Sequence, residues 1–455
     1  MKLDRSLSCD TSTRSRRTVA NGMYAVAEYA SQPLGLLLTA PYLLRHMGAV
    51  QFGVWVLASS VVSGGNALST GFGDAAIKYV AMYRGQGDSS GVARIVRGMI
   101  SINLALSAVI ASVLWGVAPF AATHIAHIDA TMRHACQQSF RIGSLLLVVR
   151  SIESVFVSAL RAFEQYGPSV RISICSRVAS LAGAVLLVAR GRGVVEIILA
   201  TLCISALATA AQGWVVRSAT GKVTLLPSLH LETLRMIAGF GCFSWLQALS
   251  AVIFGQADRL VIGVLLGAPA VAVYALCDQA AQSIHGTVAA AFHVLFPHLS
   301  ARFENESSAE VRHTLWTAFK SNAALAMLLG VPVIVFSRPI LELWMGREFA
   351  QQAWPMLCIL GVSSTLLALN VTAYYGLLAA GRIRLVMSVN LAAGAVMLLL
   401  MILLTPHFGT MGTACGWLIP GPVTCFLYLP IYRMFRNKCV ACAEPSITAL
   451  LENNG

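Results

Sequence analysis

The sequence predicts an all-α polytopic membrane protein. Two features of its composition indicate this class: 57% of the 455 residues are hydrophobic, and only 11% are charged. The mean hydropathy is +0.73. A soluble domain carries about 25% charged residues and a disordered chain has low hydrophobicity, so both classes are excluded. Since a spanning helix needs roughly 20 apolar residues, the chain has room for about a dozen spans.

The N-terminal segment predicts a polar tail, residues 1–18, ahead of the first span. Met1–Arg17 is polar and basic, and the apolar run that follows, Val19–Leu44, is too long for the core of a cleavable signal peptide. We therefore expect a tail followed directly by a spanning helix.

Apolar runs between polar breaks predict twelve spanning helices joined by short loops. In order, they are Val19–Leu43, Phe52–Phe72, Ile95–Phe120, Phe140–Leu160, Ser169–Ala189, Val194–Val216, Leu234–Gln256, Ala268–Phe296, Leu315–Phe336, Ala353–Leu378, Leu385–Leu404 and Met411–Ile431. The more polar stretch Gly73–Arg94 is expected to extend a helix or to lie at the membrane interface.

The basic residues predict the orientation. Most of the 32 Lys and Arg residues fall on the side of the N-terminus when the twelve spans are laid out in order. Membrane proteins concentrate Lys and Arg on the cytoplasmic side, so both termini are predicted to be cytosolic. The same bias explains the net charge of +13 without nucleic acid as a partner.

A short pattern occurs twice in the chain. Met47–Ala49 followed by Trp55 recurs as Leu266–Ala268 followed by Tyr274, at one constant offset. The offset carries the first helix pair onto the seventh and eighth, which predicts two pseudo-symmetric six-helix bundles around a central cavity. Transporters with parallel repeats bind substrate between the halves. The predicted divisions are a tail, 1–18; a first lobe, 19–217; a linker, 218–233; a second lobe, 234–432; and a C-terminal tail, 433–455.

Two segments resemble bacterial polysaccharide flippases of the O-antigen type, within the multidrug/oligosaccharidyl-lipid/polysaccharide exporter superfamily. They are Thr39–Ala49 (TAPYLLRHMGA) with Phe52–Trp55 (FGVW), and Gly71–Ala81 (GFGDAAIKYVA). The resemblance implies a V-shaped pair of bundles whose cavity opens alternately to each side. It also implies a lipid-linked cargo, an oligosaccharide on undecaprenyl pyrophosphate.

Ionisable residues inside predicted spans are the candidate functional groups. Burying such a residue costs at least ~2.5–3.5 kcal/mol on insertion scales, so it usually faces a cavity or a partner. The acids are Glu28, Glu153, Asp258 and Asp278, and the bases are Arg150, Arg177 and Arg259.

The spacing of these residues limits their pairing. Arg150 and Glu153 share a helix face and can neutralise each other. Asp258 and Arg259 are adjacent and point in different directions, and Arg177 has no acid within four residues on its own helix. Arg177 therefore pairs across helices, with Glu153 as the candidate, or is available to an anion.

Each charge type suggests a role. One guanidinium group can bind two phosphate oxygens at once, so Arg150, Arg177 and Arg259 are predicted to hold the pyrophosphate. The four acids are candidates for coupling to H⁺ or Na⁺. Structural ion pairs that tie helices together are the alternative for each of these residues.

The first functional hypothesis is a secondary transporter that flips lipid-linked oligosaccharide across the bacterial inner membrane. A multidrug or cation antiporter of the same fold is the alternative, and a polysaccharide polymerase or ligase is the third candidate.

No phosphate-binding loop of the form G-x-x-x-x-G-K-[ST] occurs, and the longest outer loop, Ala121–Ser139, is short for an enzyme. Its three histidines, His124, His127 and His134, lack matching metal ligands. We expect no enzyme activity, no bound metal and no cofactor. The expected partners are membrane lipids, the lipid-linked cargo and other polysaccharide assembly proteins; O-antigen, capsule and exopolysaccharide pathways all stay open.

Overall fold

The computed structural model describes residues 4–69, 79–80, 82–125, 130–163, 166–219, 227, 252, 255–292, 295, 299 and 308–433. Side chains are described from residue 31 onward, apart from residue 32 and a few positions at helix ends. Every regular element in these ranges is helical, so the predicted all-α class is confirmed.

The long helices of the described chain before residue 220 are α1 (Asp4–Ser69), α2 (Ser89–Phe120), α3 (Ala130–Ala162), α4 (Tyr166–Ala189) and α5 (Val194–Ala219). Residues 79–80 and 82–85 are also helical. A π-helical turn, Ala121–Ile125, follows α2. α1 begins well before Val19, so helix extends into the segment predicted as a tail. Asp88 caps α2 by accepting a hydrogen bond from the backbone N–H of Gly91, at 2.9 Å. Hydrogen bonds from Ser90 and Gly91 lower the pKa of Asp88, so the cap is intact at neutral pH.

Further helices lie in the described ranges after residue 254. They are α6 (residues 255–266), α7 (Ala268–Phe292), α8 (Ser308–Val335), α9 (Ser337–Trp344), α10 (Arg347–Leu369), α11 (Val371–Ala379), α12 (Ile383–Phe408), α13 (Thr410–Gly416) and α14 (Pro420–Cys425). Residues 428–433 form a last helical segment.

Nine segments of the described chain are long and apolar enough to cross a membrane. Three differences separate this set from the twelve predicted spans. Pro33–Leu68 contains parts of two predicted spans, and Leu234–Gln256 lies almost wholly outside the described residues. α7 does not qualify, because Asp278, Gln279 and other polar residues lower its hydropathy.

Two glycines make the sharp turns in the repeated pattern. Gly48 divides α1 into two arms with φ 78° and ψ 162°, and Gly267 separates α6 from α7 with φ 84°. Positive φ is accessible to glycine at little steric cost. Both copies of the pattern therefore place a glycine with positive φ at a break between helical segments, as a duplication predicts.

The chain divides into two compact units, Met1–Leu276 and Cys277–Gly455. In the first unit, α3 packs against α2 and α5, and α4 packs against α1. In the second, α10 packs against α8 and α9, and α12 packs against α13. The lobe boundary predicted at residues 218–233 stays a prediction, because most of that segment lies outside the described residues.

A polar network holds the helices of the second unit around the break between α10 and α11. The Asn370 Nδ2 atom donates to the Gly421 carbonyl at 2.8 Å and to the Thr424 hydroxyl at 2.7 Å. Tyr428 donates to the Leu369 carbonyl at 2.6 Å, and Asn322 donates to the same carbonyl at 3.0 Å. The carbonyls released by the helix break are thus bonded to side chains in a setting that offers little water.

We expect Asn370→Ala to destabilise the protein by about 1–3 kcal/mol, because buried acceptors lose their donor. Thermal unfolding in detergent measures this effect. Ser388→Ala is the matched control, since the Ser388 hydroxyl is exposed and bonds only within α12. Equal melting temperatures for the two variants would contradict the expectation.

Candidate functional site

The candidate site in the first unit is a group of polar side chains inside the bundle formed by α3, α4 and α5. Arg150 and Glu153 lie on α3, and Arg177 lies on α4. Arg150 is attracted by Glu153 and repelled by Arg177, so the two guanidinium groups lie close enough to interact. The sequence predicted the attraction on α3, but only the packing of α3 with α4 brings in the second positive charge.

Glu153 is held by a neighbouring helix. The Gln212 Nε2 atom, on α5, lies 3.3 Å from Glu153 Oε1 and 3.3 Å from the Ser173 hydroxyl on α4. Gln212 is completely buried. One buried amide therefore links α3, α4 and α5 at the position of the carboxylate.

Arg177 reaches the first helix. Its Nη1 atom donates to the Ser31 hydroxyl at 3.1 Å. Glu28 lies one helical turn before Ser31 on α1, and its side chain lies outside the described residues. The backbone thus places Glu28 on the helix that Arg177 contacts, although the predicted coupling role of Glu28 stays a prediction.

We call Arg150, Glu153, Ser173, Arg177 and Gln212 the arginine cluster. Within this cluster, Arg150 interacts with the carboxylate of Glu153 and with the guanidinium of Arg177. Charged residues are costly to bury in a membrane span, so those that occur there usually serve a partner or a ligand. The donors of paired guanidinium groups match the oxygens of phosphate in geometry and charge. The arrangement is chemically suited to binding a phosphorylated group.

A second polar group lies on α6 and α7. Asp258 is 1% exposed, and its Oδ2 atom accepts a hydrogen bond from the Tyr274 hydroxyl at 2.7 Å. Its Oδ1 atom accepts from the backbone N–H of Arg259, also at 2.7 Å. The hydrogen bonds therefore hold the Asp258 carboxylate in a fixed position away from water.

The remaining acid, Asp278, lies on α7 and is 4% exposed. A buried carboxylate on a mostly apolar helix fits a group that serves a buried site, since an apolar span would otherwise avoid it. Binding of an ion or a substrate by Asp258, Asp278 or Arg259 stays a prediction.

Three residues of the site were not predicted from the sequence, because the predicted site residues were the ionisable groups inside spans. The three are the neutral residues Ser31, Ser173 and Gln212. Ser31 contacts Arg177, Gln212 contacts Glu153, and Ser173 contacts Gln212. Gln212 had a usable signal, because an amide within the apolar run Val194–Val216 needs hydrogen-bond partners. Serine gives no such signal, since its hydroxyl can bond to its own helix.

Comparison with solved structures identifies the fold. A multidrug resistance MATE family transporter of the MOP superfamily, in an inward-facing conformation, matches with a TM-score of 0.72 and 15% identity, covering 92% of this chain and 98% of that one. The lipid II flippase MurJ, in an inward closed conformation, matches with a TM-score of 0.74 and 13% identity, over 90% and 87% of the two chains. A mutant of the Vibrio cholerae MATE transporter VcmN matches with a TM-score of 0.67 and 15% identity, covering 94% of this chain and 98% of that one. No curated protein sequence matches the chain.

These similarities define the class: the chain is a multi-pass membrane protein with the fold shared by MATE transporters and the MurJ flippase. The sequence profile of the family described as "Polysaccharide biosynthesis protein" matches residues 43–353. This match spans more than half of the chain, and the chain belongs to that family. The resemblance drawn from the two N-terminal segments is confirmed at the level of family and fold.

Proposed function

We propose that the protein is a secondary transporter that flips an undecaprenyl-pyrophosphate-linked oligosaccharide across the bacterial cytoplasmic membrane. Membership of a polysaccharide biosynthesis family supports a glycan cargo. A fold shared with a lipid II flippase supports a lipid-linked one. In this role the protein moves its substrate and makes no covalent change to it.

The observation that supports this proposal is the proximity of Arg150 and Arg177 inside the bundle, where Glu153 attracts Arg150 and contacts Gln212. A pyrophosphate that crosses hydrocarbon must exchange its hydration for protein donors. Two guanidinium groups provide such donors, and Arg259 on α6 is proposed as a third. The lipid tail stays in the bilayer while the headgroup crosses.

Coupling to an ion gradient is proposed for the buried acids. A carboxylate in a dry site can take up a proton or hold Na⁺, and the change in charge can bias a conformational equilibrium. Asp258 and Asp278 are the main candidates because both are buried; Glu28 and Glu153 are the others. No cofactor is required beyond H⁺ or Na⁺, although other polysaccharide assembly proteins are proposed as partners.

The proposed orientation places both termini in the cytosol and the start of α3 outside. Cys136 is completely buried and cannot report sidedness, whereas His134 nearby is exposed. We expect His134→Cys to be labelled in intact cells by a membrane-impermeant maleimide. The wild-type protein serves as the control, and labelling that requires broken cells would reverse the proposed orientation.

A multidrug antiporter is the second candidate. The buried Asp258–Tyr274 hydrogen bond and the MATE-like fold favour it, because a buried carboxylate can exchange a proton for a cationic drug. It leaves Arg150 and Arg177 without a role, since neighbouring positive charges repel a cation. The flippase is therefore the first choice.

Complementation tests the proposed function. The gene is expressed in a strain that lacks its own oligosaccharide flippase, and glycan at the cell surface is measured with a lectin. Restored surface glycan with unchanged drug resistance supports the flippase. Raised drug resistance without surface glycan supports the antiporter instead and contradicts the proposal.

A further inference from the structure

Arg141, another arginine of α3, lies outside the arginine cluster. Arg141 is partly buried, and its guanidinium carbon lies 5.4 Å from the centre of the Trp115 ring on α2. The Arg141 Nε atom is buried and has no hydrogen-bond partner in the described part of the chain. The Arg141 guanidinium thus makes a cation–π contact with Trp115, and its Nε donor makes no hydrogen bond within the described part of the chain.

The neighbouring sequence offers no counter-charge. The chain has no acidic residue between Asp88 and Asp129, and none between Asp129 and Glu153. α2 and the first two thirds of α3 therefore contain no carboxylate that could pair with Arg141. No carboxylate of these two helix segments compensates the charge, which leaves a membrane anion as a candidate source of compensation.

The depth of Arg141 indicates that source. α3 has 33 residues, which is about 50 Å of helix, whereas the hydrocarbon core is about 30 Å thick. If the helix length beyond this thickness projects equally from both ends, the backbone of Arg141 lies a few ångströms inside the hydrocarbon core. Its side chain points toward the start of the helix and so reaches the phosphate level. Trp115, five residues before the end of α2, lies at the depth where tryptophan usually meets lipid headgroups.

The surface next to this pair is apolar and exposed. Trp115 is 44% exposed, and Leu145, one turn further along α3, is 47% exposed. Ala108 lies two turns before Trp115 on the same face of α2 and is exposed as well. An acyl chain can lie over Ala108 and Leu145 while its headgroup contacts Arg141.

We propose that Arg141 and Trp115 form a binding site for the phosphate of an anionic membrane phospholipid, separate from the arginine cluster. The guanidinium donates to the phosphodiester oxygens, the indole holds the guanidinium in place, and the lipid tails cover Ala108 and Leu145. This site does not depend on the proposed transport function.

Native mass spectrometry of the purified, full-length protein with added phosphatidylglycerol tests the site. Arg141→Gln is expected to weaken retention of the first bound lipid by about tenfold, the usual effect of losing one charge-assisted hydrogen bond. Trp115→Leu is expected to weaken it less. Arg338→Gln is the control, because Arg338 is exposed and already paired with Glu342 at 2.9 Å. Phosphatidylcholine should be retained less than phosphatidylglycerol, and inorganic phosphate should not displace the lipid.

Unchanged phosphatidylglycerol retention in Arg141→Gln would overturn the proposal, as would an equal loss in Arg338→Gln. Loss of glycan export in Arg141→Gln with normal lipid retention would also overturn it, because the arginine would then serve the cargo. A normal melting temperature in Trp115→Leu, together with reduced retention, would show that the lipid effect does not reflect unfolding.

Discussion

Replacing Arg150 by alanine is expected to reduce glycan export by about 10- to 100-fold, while the protein remains in the membrane at normal abundance. The proposed pyrophosphate loses charge-assisted hydrogen bonds at the step where it leaves water. Abundance should be preserved because Arg150 has a like charge, Arg177, beside it, and removing one of two like charges relieves repulsion. Surface glycan in the complemented strain measures export, and immunoblotting of membranes measures abundance.

Conservative variants separate a phosphate role from a structural one. Arg150→Lys should restore export only in part, since lysine provides a point charge without the bidentate fork. Arg177→Ala should also reduce export, with some loss of abundance because the hydrogen bond to Ser31 disappears. Arg338→Ala is the control at an exposed ion pair and should leave both measurements unchanged.

The opposite result has a clear meaning. If Arg150→Ala lowers abundance and Glu153→Gln in the same chain restores it, the two residues form a structural pair. If Arg150→Ala and Arg177→Ala both give normal export and abundance, the arginine cluster does not bind the cargo. The family assignment would stand in either case, because it rests on residues 43–353 as a whole.

Replacing Gly53 by alanine is expected to destabilise the protein by about 3 kcal/mol or more, as in severe cases of overpacking. A Cβ atom at Gly53 would overlap the backbone oxygen of Ala268. A backbone atom cannot rotate away, so the second arm of α1 and the start of α7 would have to separate. Thermal unfolding in detergent and membrane abundance should both fall.

Two glycine variants serve as matched comparisons for Gly53→Ala. Gly116 in α2 has nothing within 4 Å of the position that a Cβ atom would take, so Gly116→Ala should be neutral or slightly stabilising. Gly263→Ala would bring its Cβ to 2.6 Å from the Leu57 side chain, which can move, so a smaller loss is expected. A melting temperature for Gly53→Ala equal to that of Gly116→Ala would contradict close packing of α1 against α7.

Local sequence was sufficient for much of the architecture. Apolar runs longer than a bilayer is thick identify helices such as α5 and α12, because the backbone in lipid must satisfy its own hydrogen bonds. The repeated pattern identified the turns at Gly48 and Gly267, because both need a conformation that glycine adopts easily. Both features depend on residues close together in the chain.

Breaks inside the apolar runs were missed. Within the tenth predicted span, Ala353–Leu378, one helix ends at Leu369 and the next begins at Val371. The last predicted span is broken between Gly416 and Pro420. Asn370 permits its break because Gly421 and Thr424, distant in sequence, accept its hydrogen bonds. The amphipathic helix α9 was missed because its eight residues are too few for a spanning pattern.

The sequence by itself determined that the chain crosses the membrane many times, that its charged residues in spans are few, and which residues those are. Only the tertiary structure decided their neighbours. Arg177 lies near Arg150 and bonds to Ser31, and Glu153 is held by Gln212, because α1, α3, α4 and α5 pack together. Hydropathy and helical spacing describe one helix at a time, whereas the charge balance of a buried site is set by side chains from several helices.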